Sequence, residues 1–468
     1  MADRNDLPKD IQEAAKQSLS VGMVSLGCAK NLVDSEIMLA SLKTAGYDVT
    51  PVAEEAEVII VNTCGFIGTA KEESINTILE MASYKESGRC QTLVVTGCLG
   101  QRYGQELMEE MPEIDGLLGT GQIDRLPELL QAIFRGQRPI VVGPPGFDYN
   151  DSLSRLVSTP PHSVYLKIAE GCSHTCAYCV IPMLRGPYRS RPMASIIKEA
   201  QELAEQGAKE LVLIAQDTSA YGKDLPGNPG LHQLLEELSK IPKVHWLRVL
   251  YTYPTTFSTR LIEEFAQNPK VCHYVDLPLQ HASNDVLVRM GRGPVAKAQR
   301  RLIKRLRQAM PDVAIRSSFI VGFPGETEAE FQELLDFLEE VRFDHVGVFA
   351  YSLEEGSAAA ELAGQIPEEV KEERRRQAML LQQKITEEKL KAQVGKVYEV
   401  LIDGPSEETD LVLVARSEYQ APSVDGLIYI GNRWLGAGEL AMARITESHT
   451  YDLVAEILDE SGEKPCGH

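Results

Sequence analysis

The chain has 468 residues, of which 43% are hydrophobic and 25% are charged. This length exceeds what one ordinary hydrophobic core organises, so we expect a globular protein of two or three domains. The sequence contains no run of about eighteen apolar residues, which argues against a membrane span. The charged start MADRNDLPKD lacks the apolar stretch of a secretory signal, so we expect a cytoplasmic protein.

The formal net charge of −21 bears on the kind of partner. A phosphate backbone is bound largely through Lys and Arg, so a strongly acidic chain has no general affinity for nucleic acid. A local basic patch would still be compatible with an RNA substrate. The overall charge favours a basic partner.

The nine cysteines point to metal binding or redox chemistry. In a reducing compartment they are not expected to form structural disulfides. Their odd number and the clustering of three of them agree with this interpretation.

The first segment, residues 21–135, predicts an α/β domain. The runs VGMVSLG, EVIIVNT and TLVVTG are short and β-branched, as is typical of buried parallel strands. The stretches between them have helical periodicity and end in Gly, which indicates βαβ units. Residues 136–161 are rich in Pro, Gly and Ser and predict an interdomain linker.

The middle segment, residues 162–390, repeats a strand followed by a helix. Its six strand candidates are SVYLKIAE, ELVLIAQ, WLRVLYTY, YVDLPLQ, AIRSSFIVGF and HVGVFAYS. Six βα units are fewer than the eight of a closed barrel, so we predict an open, partial (β/α)6 barrel. Residues 368–393 predict a long charged helix that straps this domain to the next one.

The last segment, residues 391–458, changes to short strands. The five runs are KVYEVLID, LVLVARS, GLIYIG, ELAMARITE and YDLVAEIL. With turn residues between them, they predict a small antiparallel β-barrel.

Cys172, Cys176 and Cys179 form a CxxxCxxC motif directly after the first strand of the middle segment. Three thiolates on one loop can bind three irons of a 4Fe–4S cluster and leave one iron open to a substrate. The alternative is a zinc site with His174 or Cys272 as the fourth ligand. Zinc sites typically use two CxxC pairs, in the pattern CxxC…CxxC, and this sequence lacks that pattern.

Three other cysteines, Cys28, Cys64 and Cys98, each follow a predicted parallel strand. The carboxyl ends of neighbouring parallel strands meet at one edge of a sheet, so these thiols are expected to hold a second cluster there. The alternative is that they are buried structural cysteines. The remaining cysteines lack such placement and are interpreted as structural or incidental: Cys90, Cys272 and Cys466.

On its CxxxCxxC loop the sequence resembles the radical S-adenosylmethionine superfamily. The resemblance implies that the open iron binds S-adenosylmethionine, whose reductive cleavage yields methionine and a 5′-deoxyadenosyl radical. It also implies four contacts to this cofactor, from Tyr178 beside the last cysteine, Gln216 at a strand end, and Arg316 and Gly322 in RSSFIVGFPGET. A Gly-rich turn after a strand is also often only a turn.

With both cysteine sets, residues 21–458 resemble the methylthiotransferases, which join a three-cysteine domain, a radical barrel and a C-terminal TRAM barrel. SLGCAKNLVDSE, NTCGFIGTAKEES, RGPYRSRP and QDTSAYG resemble the RimO-type branch, which modifies a ribosomal protein, more than the tRNA branch. Ala29 departs from the Pro usual in that branch.

Charge in the last segment supports the same branch. From Gln393 to the end there are five Lys or Arg against fourteen Asp or Glu. A barrel that grips RNA is expected to be basic, so this one is better suited to a basic protein. The alternative is that the acidic surplus only improves solubility.

The resemblance implies that the enzyme adds a methylthio group to the β-carbon of an aspartate in small-subunit ribosomal protein twelve. The implied cofactors are two 4Fe–4S clusters and S-adenosylmethionine, with an electron donor such as flavodoxin or ferredoxin and a separate sulfur donor. The alternatives are a tRNA adenosine methylthiotransferase and a non-catalytic iron–sulfur RNA-binding or assembly protein.

No side chain is predicted to act as a general base. His281 in LPLQHAS and the arginines of RGPYRSRP are either site-lining or structural groups. Those arginines are Arg185, Arg189 and Arg191.

Overall fold

The computed structural model describes residues 19–146 and 154–459. These residues form two compact units. The first comprises the chain up to Leu156 together with Val180–Pro187, and the second comprises Val157–Cys179 and the chain from Tyr188 onward. Cys466 lies outside the described residues, as do 147–153 of the predicted linker.

The first unit is built on a six-stranded parallel sheet with the strand order β2-β1-β3-β4-β5-β6. The strands are β1 Ser20–Ser25, β2 Asp48–Val49, β3 Val58–Thr63, β4 Thr92–Gly97, β5 Gly116–Leu118 and β6 Ile140–Val141. The helices of this unit are α1 Ala29–Thr44, α2 Gly68–Ser87, α3 Cys98–Glu110, α4 Leu126–Phe134 and α5 Ile181–Arg185. The predicted parallel sheet is therefore confirmed.

The central strands of this sheet are buried along their whole length. Every residue of β3 and β4 is buried, as expected for parallel strands covered by helices on both faces. Apolar side chains from these strands pack with those of α2 and α3 in one core. The carboxyl ends of β1, β3 and β4 are thereby held next to one another.

The segment predicted as a linker contributes to the sheet. Ile140–Val141 forms the edge strand β6 and pairs in parallel with Leu117 and Leu118. Farther along, the Arg155 guanidinium lies 2.5 Å from a carboxylate oxygen of buried Glu36. The described parts of this segment up to Leu156 therefore belong to the first unit, and the residues from Val157 onward belong to the second.

The second unit contains the predicted partial barrel. Its six main strands form two three-stranded parallel sheets, β11-β10-β7 and β12-β13-β14. The strands are β7 Ser163–Lys167, β10 Glu210–Ile214, β11 Trp246–Val249, β12 Tyr274–Asp276, β13 Ala314–Val321 and β14 His345–Ala350. A short antiparallel pair, β8 Ala169–Glu170 with β9 Arg189–Ser190, flanks the cysteine loop.

Helices alternate with these strands. They are α6 Met193–Glu205, α7 Leu231–Ser239, α8 Thr259–Gln267, α9 Asn284–Arg289, α10 Ala296–Ala309, α11 Glu328–Val341 and α12 Glu368–Lys391. The long charged helix α12 packs on the barrel, where Gln382 donates a hydrogen bond to the Phe343 carbonyl and Ala378 is fully buried. Among the helices that the structure describes, none is long and apolar enough to cross a membrane.

The last five strands close into a barrel with the order β15-β16-β17-β19-β18. They are β15 Val397–Pro405, β16 Leu413–Ser417, β17 Ile428–Ile430, β18 Leu440–Ser448 and β19 Leu453–Ile457. The predicted small barrel is confirmed, and four of its strand pairs are antiparallel whereas β17 and β19 pair in parallel. The alternating pattern of a strand reports which side chains are buried but not the direction of its partner.

A buried ion network joins this barrel to the partial barrel within the second unit. The Glu210 carboxylate accepts hydrogen bonds from Arg248 Nε at 2.7 Å and from Arg416 Nη1 at 2.9 Å. Arg416 also pairs with Asp403 of β15. All three residues at the centre of the network, Glu210, Arg248 and Arg416, are buried.

Candidate active site: two three-cysteine sites

The first three cysteines lie at the carboxyl edge of the parallel sheet. Cys28 precedes α1, Cys64 directly follows β3, and Cys98 is the first residue of α3. Because β1, β3 and β4 pair in parallel, their three loops meet at this edge. The structure therefore brings together the three thiols that the sequence predicts as a set.

Glycines next to these cysteines allow the loops to approach closely. A Cβ on Gly27 would lie 3.0 Å from Cys64 Sγ, and one on Gly97 would lie 2.4 Å from Asn62 Oδ1. Both glycines have positive φ, +83° and +92°, a conformation that other residues adopt at a cost. Side chains at these positions would push the thiol-bearing loops apart.

Arg185 places a buried positive charge at this site. Its guanidinium pairs with the Asp34 carboxylate and donates a hydrogen bond to Asn31 Oδ1 at 2.8 Å. Burial raises the pKa of Cys98, and the positive charge of Arg185 opposes that rise. The sequence alone left the role of Arg185 open. Arg185 follows the CxxxCxxC motif along the chain, so nothing in the sequence indicated that it lies at the site of Cys28, Cys64 and Cys98.

The thiols differ in acidity because their surroundings differ. Burial opposes ionisation of Cys28, but the charges of Lys30 and Arg185, with nearby backbone N–H groups, leave its pKa below the usual range. Burial raises the pKa of Cys64 to about 11, and burial likewise raises the pKa of Cys98. Cys28 is therefore the thiol most ready to bind a metal as a thiolate.

These residues fit an iron–sulfur cluster. Three thiols lie at one edge, and Arg185 supplies a cation against thiolate charge. In the described part of the chain, no three side chains of Cys, His, Asp or Glu are arranged to hold a single metal ion. A cluster instead takes its three thiolates on three separate irons.

The second cysteine set lies on the loop between β8 and α5. The loop is fixed by hydrogen bonds from the Cys179 N–H to the Cys176 carbonyl at 3.1 Å and from the Ala177 N–H to the Met290 carbonyl at 2.9 Å. Cys172, Cys176 and Cys179 are each partly exposed. The loop can therefore present its thiols to a cluster without unfolding.

The two side chains considered as a fourth zinc ligand are engaged elsewhere. His174 Nε2 lies 2.7 Å from Asp217 Oδ2, and its ring stacks on Tyr253 at 3.8 Å between centroids. Cys272 lies just before β12, at the amino end of that strand, and burial raises its pKa to about 12. Both positions favour the three-cysteine cluster.

Two of the predicted S-adenosylmethionine contacts lie beside this loop. The Tyr178 hydroxyl accepts a hydrogen bond from Arg292 Nη1 at 3.1 Å. Gln216 donates to Glu170 Oε1 at 2.7 Å, and its own Oε1 is buried without a partner among the described residues. That free acceptor, at the carboxyl end of β10, is suited to a donor group on a bound cofactor.

The other two predicted contacts occupy opposite ends of β13. Gly322 directly follows the strand, where a Cβ would lie 2.3 Å from Lys371 Cγ. Arg316 is the third residue of the strand and pairs with Asp276 at 3.2 Å and Asp425 at 3.5 Å. Since six residues of extended chain span about 20 Å, the structure does not bring Arg316 to the cysteine loop.

His281 and Arg191 are held by structural contacts. Burial lowers the pKa of His281 to about 3, and its Nδ1 accepts a hydrogen bond from the Ser283 N–H. Arg191 Nη1 donates to Glu199 at 2.6 Å and to the Lys167 carbonyl at 2.7 Å. Neither side chain is positioned as a proton-transfer group by these contacts.

Comparison with known proteins finds three family models along the chain. The family model UPF0004, described as an uncharacterized protein family, matches residues 20–119, the radical SAM superfamily model matches 166–338, and the TRAM domain model matches 394–458. The fold and the two cysteine sites thus define a radical S-adenosylmethionine enzyme with an additional three-cysteine domain.

Curated relatives cover nearly the whole chain. The chain is 51% identical over 441 residues to a ribosomal protein uS12 methylthiotransferase RimO of Pelotomaculum thermopropionicum, covering 94% of this chain and 99% of the relative. The RimO protein of Heliobacterium modesticaldum is 50% identical, with coverages of 95% and 96%. The chain belongs to the RimO family of methylthiotransferases, which carry two 4Fe–4S clusters and use S-adenosylmethionine.

Solved structures agree at the level of fold. The radical S-adenosylmethionine methyltransferase TsrM from Kitasatospora setae aligns with a TM-score of 0.53 and 16% identity, covering 71% of this chain and 75% of TsrM. The cobalamin-dependent radical enzyme OxsB aligns with a TM-score of 0.50 and 12% identity, covering 79% and 57%. These likenesses extend to the fold alone.

Proposed function

We propose that this chain transfers a methylthio group to the β-carbon of an aspartate in ribosomal protein uS12. The observation that carries the proposal is the pair of three-thiol sites in a chain similar to uS12 methylthiotransferases over 94% of its length. A simple radical methylase would leave the site of Cys28, Cys64 and Cys98 without a role.

The target carbon is not activated for acid–base substitution, so cofactors must supply the difficult chemistry. When bound, the cluster on Cys172, Cys176 and Cys179 supplies, with S-adenosylmethionine, the radical that removes a hydrogen atom, and the other cluster supplies the methylthio sulfur. The protein contributes thiolate ligands, buried charge and positioned polar groups.

The residues around each site suit these tasks. At the sheet edge, Arg185 compensates negative charge on the thiolates, and Asp34 and Asn31 hold its guanidinium in place. At the barrel mouth, Glu170 orients the Gln216 amide, which leaves Gln216 Oε1 as an acceptor for a cofactor donor.

The C-terminal barrel supports a basic protein as the substrate. Its β15–β16 loop exposes Glu407, Glu408 and Asp410, followed by Leu411 with 83% of its surface exposed. Trp434, on another loop of the same barrel, is 59% exposed. Acidic groups beside exposed apolar anchors complement a basic protein and repel a phosphate backbone.

We propose that the reaction takes place in the cytoplasm, where ribosomal proteins are made and assembled. Reduction of a low-potential cluster needs an external electron donor, such as flavodoxin or ferredoxin. Each methylthio group also consumes a sulfur atom, so a separate sulfur donor is required.

The experiment is an anaerobic assay of the reconstituted enzyme with S-adenosylmethionine, dithionite, a sulfide source and purified uS12. We expect 5′-deoxyadenosine and uS12 heavier by a methylthio group. Cys176→Ala is expected to abolish both products, and Cys64→Ala is expected to retain 5′-deoxyadenosine but lose modified uS12. Cys90→Ala, a buried thiol of the same unit outside the site, is the matched control and should retain both.

Two outcomes contradict the proposal. Modified uS12 from Cys64→Ala would exclude the role of the sheet-edge thiols. Unmodified uS12 together with methylthio-adenosine in added tRNA would assign the chain to the tRNA reaction, whose chemistry is the same.

A further inference from the structure

Arg292 approaches the CxxxCxxC loop from a separate part of the barrel. It lies in the turn between α9 and α10, next to Gly291, whose φ is +73°. A Cβ on Gly291 would lie 2.6 Å from the Thr175 carbonyl oxygen, and the Met290 carbonyl accepts a hydrogen bond from the Ala177 N–H. The turn is therefore docked directly on the cysteine loop.

The guanidinium of Arg292 contacts several groups of that loop and its surroundings. Nη1 lies 3.1 Å from the Tyr178 hydroxyl and 3.9 Å from Cys176 Sγ, and Nη2 donates to the Pro278 carbonyl at 3.0 Å. The guanidinium also lies 4.2 Å from the centre of the Tyr253 ring.

Arg292 carries a buried positive charge. Arg292 is only 9% exposed. In the part of the chain that the structure describes, Arg292 forms no ion pair with Asp or Glu. Burying an unpaired cation is costly, and the negative charge within its reach is that of the cysteine thiolates.

We propose that Arg292 is a positioning residue that raises the reduction potential of the cluster bound by Cys172, Cys176 and Cys179. The inference rests on the cluster in the proposed function but not on uS12 as the substrate. A 4Fe–4S cluster with charge 2+ and three thiolates carries a net charge of −1. One electron from the donor brings that charge to −2, with no bond formed or broken.

A fixed cation beside a ligand sulfur stabilises the more negative state. Hydrogen bonds to the sulfurs and the charge around a cluster are among the factors that set its potential. Arg292 supplies a hydrogen-bond donor and a positive charge at Cys176, and its contacts with Pro278 and Tyr178 hold the guanidinium in place. Its loss should make the cluster harder to reduce and should leave the ligand set unchanged.

The test is an anaerobic redox titration of the full-length reconstituted protein with dithionite, followed by EPR of the reduced cluster. Cys64→Ala in every sample removes the sheet-edge site, so the signal reports one cluster. Arg292→Gln removes the charge, Arg292→Lys retains it, and Arg305→Gln removes an exposed charge of the same sign on α10. Iron and sulfide content are measured for each variant.

We expect Arg292→Gln to lower the ratio of reduced to oxidised cluster about tenfold at a fixed potential, which is about 59 mV for a one-electron couple. Arg292→Lys should recover most of this loss, and Arg305→Gln should behave as the parent protein. An unchanged potential in fully loaded Arg292→Gln would overturn the inference. Absence of a reducible cluster from the parent protein itself would instead overturn the proposed function.

A second variant decides the case if Arg292→Gln does not bind a cluster. Arg292→Met keeps an unbranched side chain beside the Tyr253 ring and removes the guanidinium charge. We expect the reduced fraction to fall severalfold in the same direction. A potential equal to that of the parent would overturn the inference.

Discussion

Replacing Glu210 with glutamine tests whether the ion network holds the partial barrel and the C-terminal barrel together. The Glu210 carboxylate contacts Arg248 and Arg416 at 2.7 and 2.9 Å and accepts a hydrogen bond from Ser163 Oγ at 2.7 Å. The substitution Glu210→Gln would keep the shape of the side chain but leave two buried guanidinium groups without this negative charge. Breaking such a buried pair costs about 3–5 kcal/mol.

The pKa of Glu210 gives a second value for the free energy of unfolding that Glu210→Gln should lose. Burial alone would raise the pKa of Glu210, but Arg416 and Arg248 outweigh it and lower the pKa from 4.5 to about 2. At about 1.4 kcal/mol per pKa unit, this shift corresponds to about 3 kcal/mol of folding free energy. The two routes agree, so we expect a loss of about 3 kcal/mol at pH 7.

The assay is urea unfolding followed by tryptophan fluorescence. The chain has two Trp residues, so Trp434→Phe leaves Trp246, which is buried and pairs with Glu210 across the β10–β11 register. Glu205→Gln is the control, since Glu205 pairs with Lys243 at 2.6 Å on the exposed surface. Exposed pairs contribute about 0–1 kcal/mol.

The stability difference between the parent protein and Glu210→Gln should depend on pH, and this dependence can refute the reasoning. Because the folded pKa of Glu210 is depressed, its contribution is fully present above pH 4.5 and is lost as the pH falls from 4.5 towards 2. The gap in unfolding free energy between parent and Glu210→Gln should therefore shrink between pH 5 and pH 3. Equal stability at pH 7, or a gap independent of pH, would refute the reasoning.

Three further predictions concern the cysteine edge and the barrel surface. Gly97→Ala should destabilise the chain by about 1–3 kcal/mol or more, because the φ of +92° and ψ of −159° lie in a region that is essentially restricted to glycine, and it should lower bound iron by about half. Gly136→Ala, with positive φ and open space around it, should retain all iron. Arg185→Gln should cost about 3 kcal/mol in urea unfolding because it removes the guanidinium from the buried ion pair with Asp34, and retention of full stability would contradict the pairing. Trp434→Ala should weaken uS12 binding about tenfold by calorimetry, and unchanged affinity would remove Trp434 from the substrate surface.

The cysteine sites could be predicted because their signals are local. Cys28, Cys64 and Cys98 each follow a short apolar run, and the carboxyl ends of neighbouring parallel strands lie at one edge of the sheet. Cys172, Cys176 and Cys179 carry their signal in the spacing itself. The strand–helix alternation of the middle segment likewise predicted six barrel strands, which the structure contains.

Features that depend on tertiary packing could not be predicted in this way. The strand Ile140–Val141 has two residues in a Pro- and Gly-rich stretch, too few for a periodic pattern. Arg185 and Arg292 reach the cysteines through chain segments whose docking no local pattern reports. Arg316 shares a strand and turn with Gly322, but its position near the amino end of that strand places it with Asp276 and Asp425.

The measurement that tests the central claim most directly is mass spectrometry of small-subunit ribosomal proteins from cells with and without the gene for this chain. We predict that an aspartate of uS12 carries a methylthio group in cells that have the gene and is unmodified in cells that lack it. Restoring the gene with Cys64→Ala should leave uS12 unmodified. A uS12 mass that is the same with and without the gene would contradict the account.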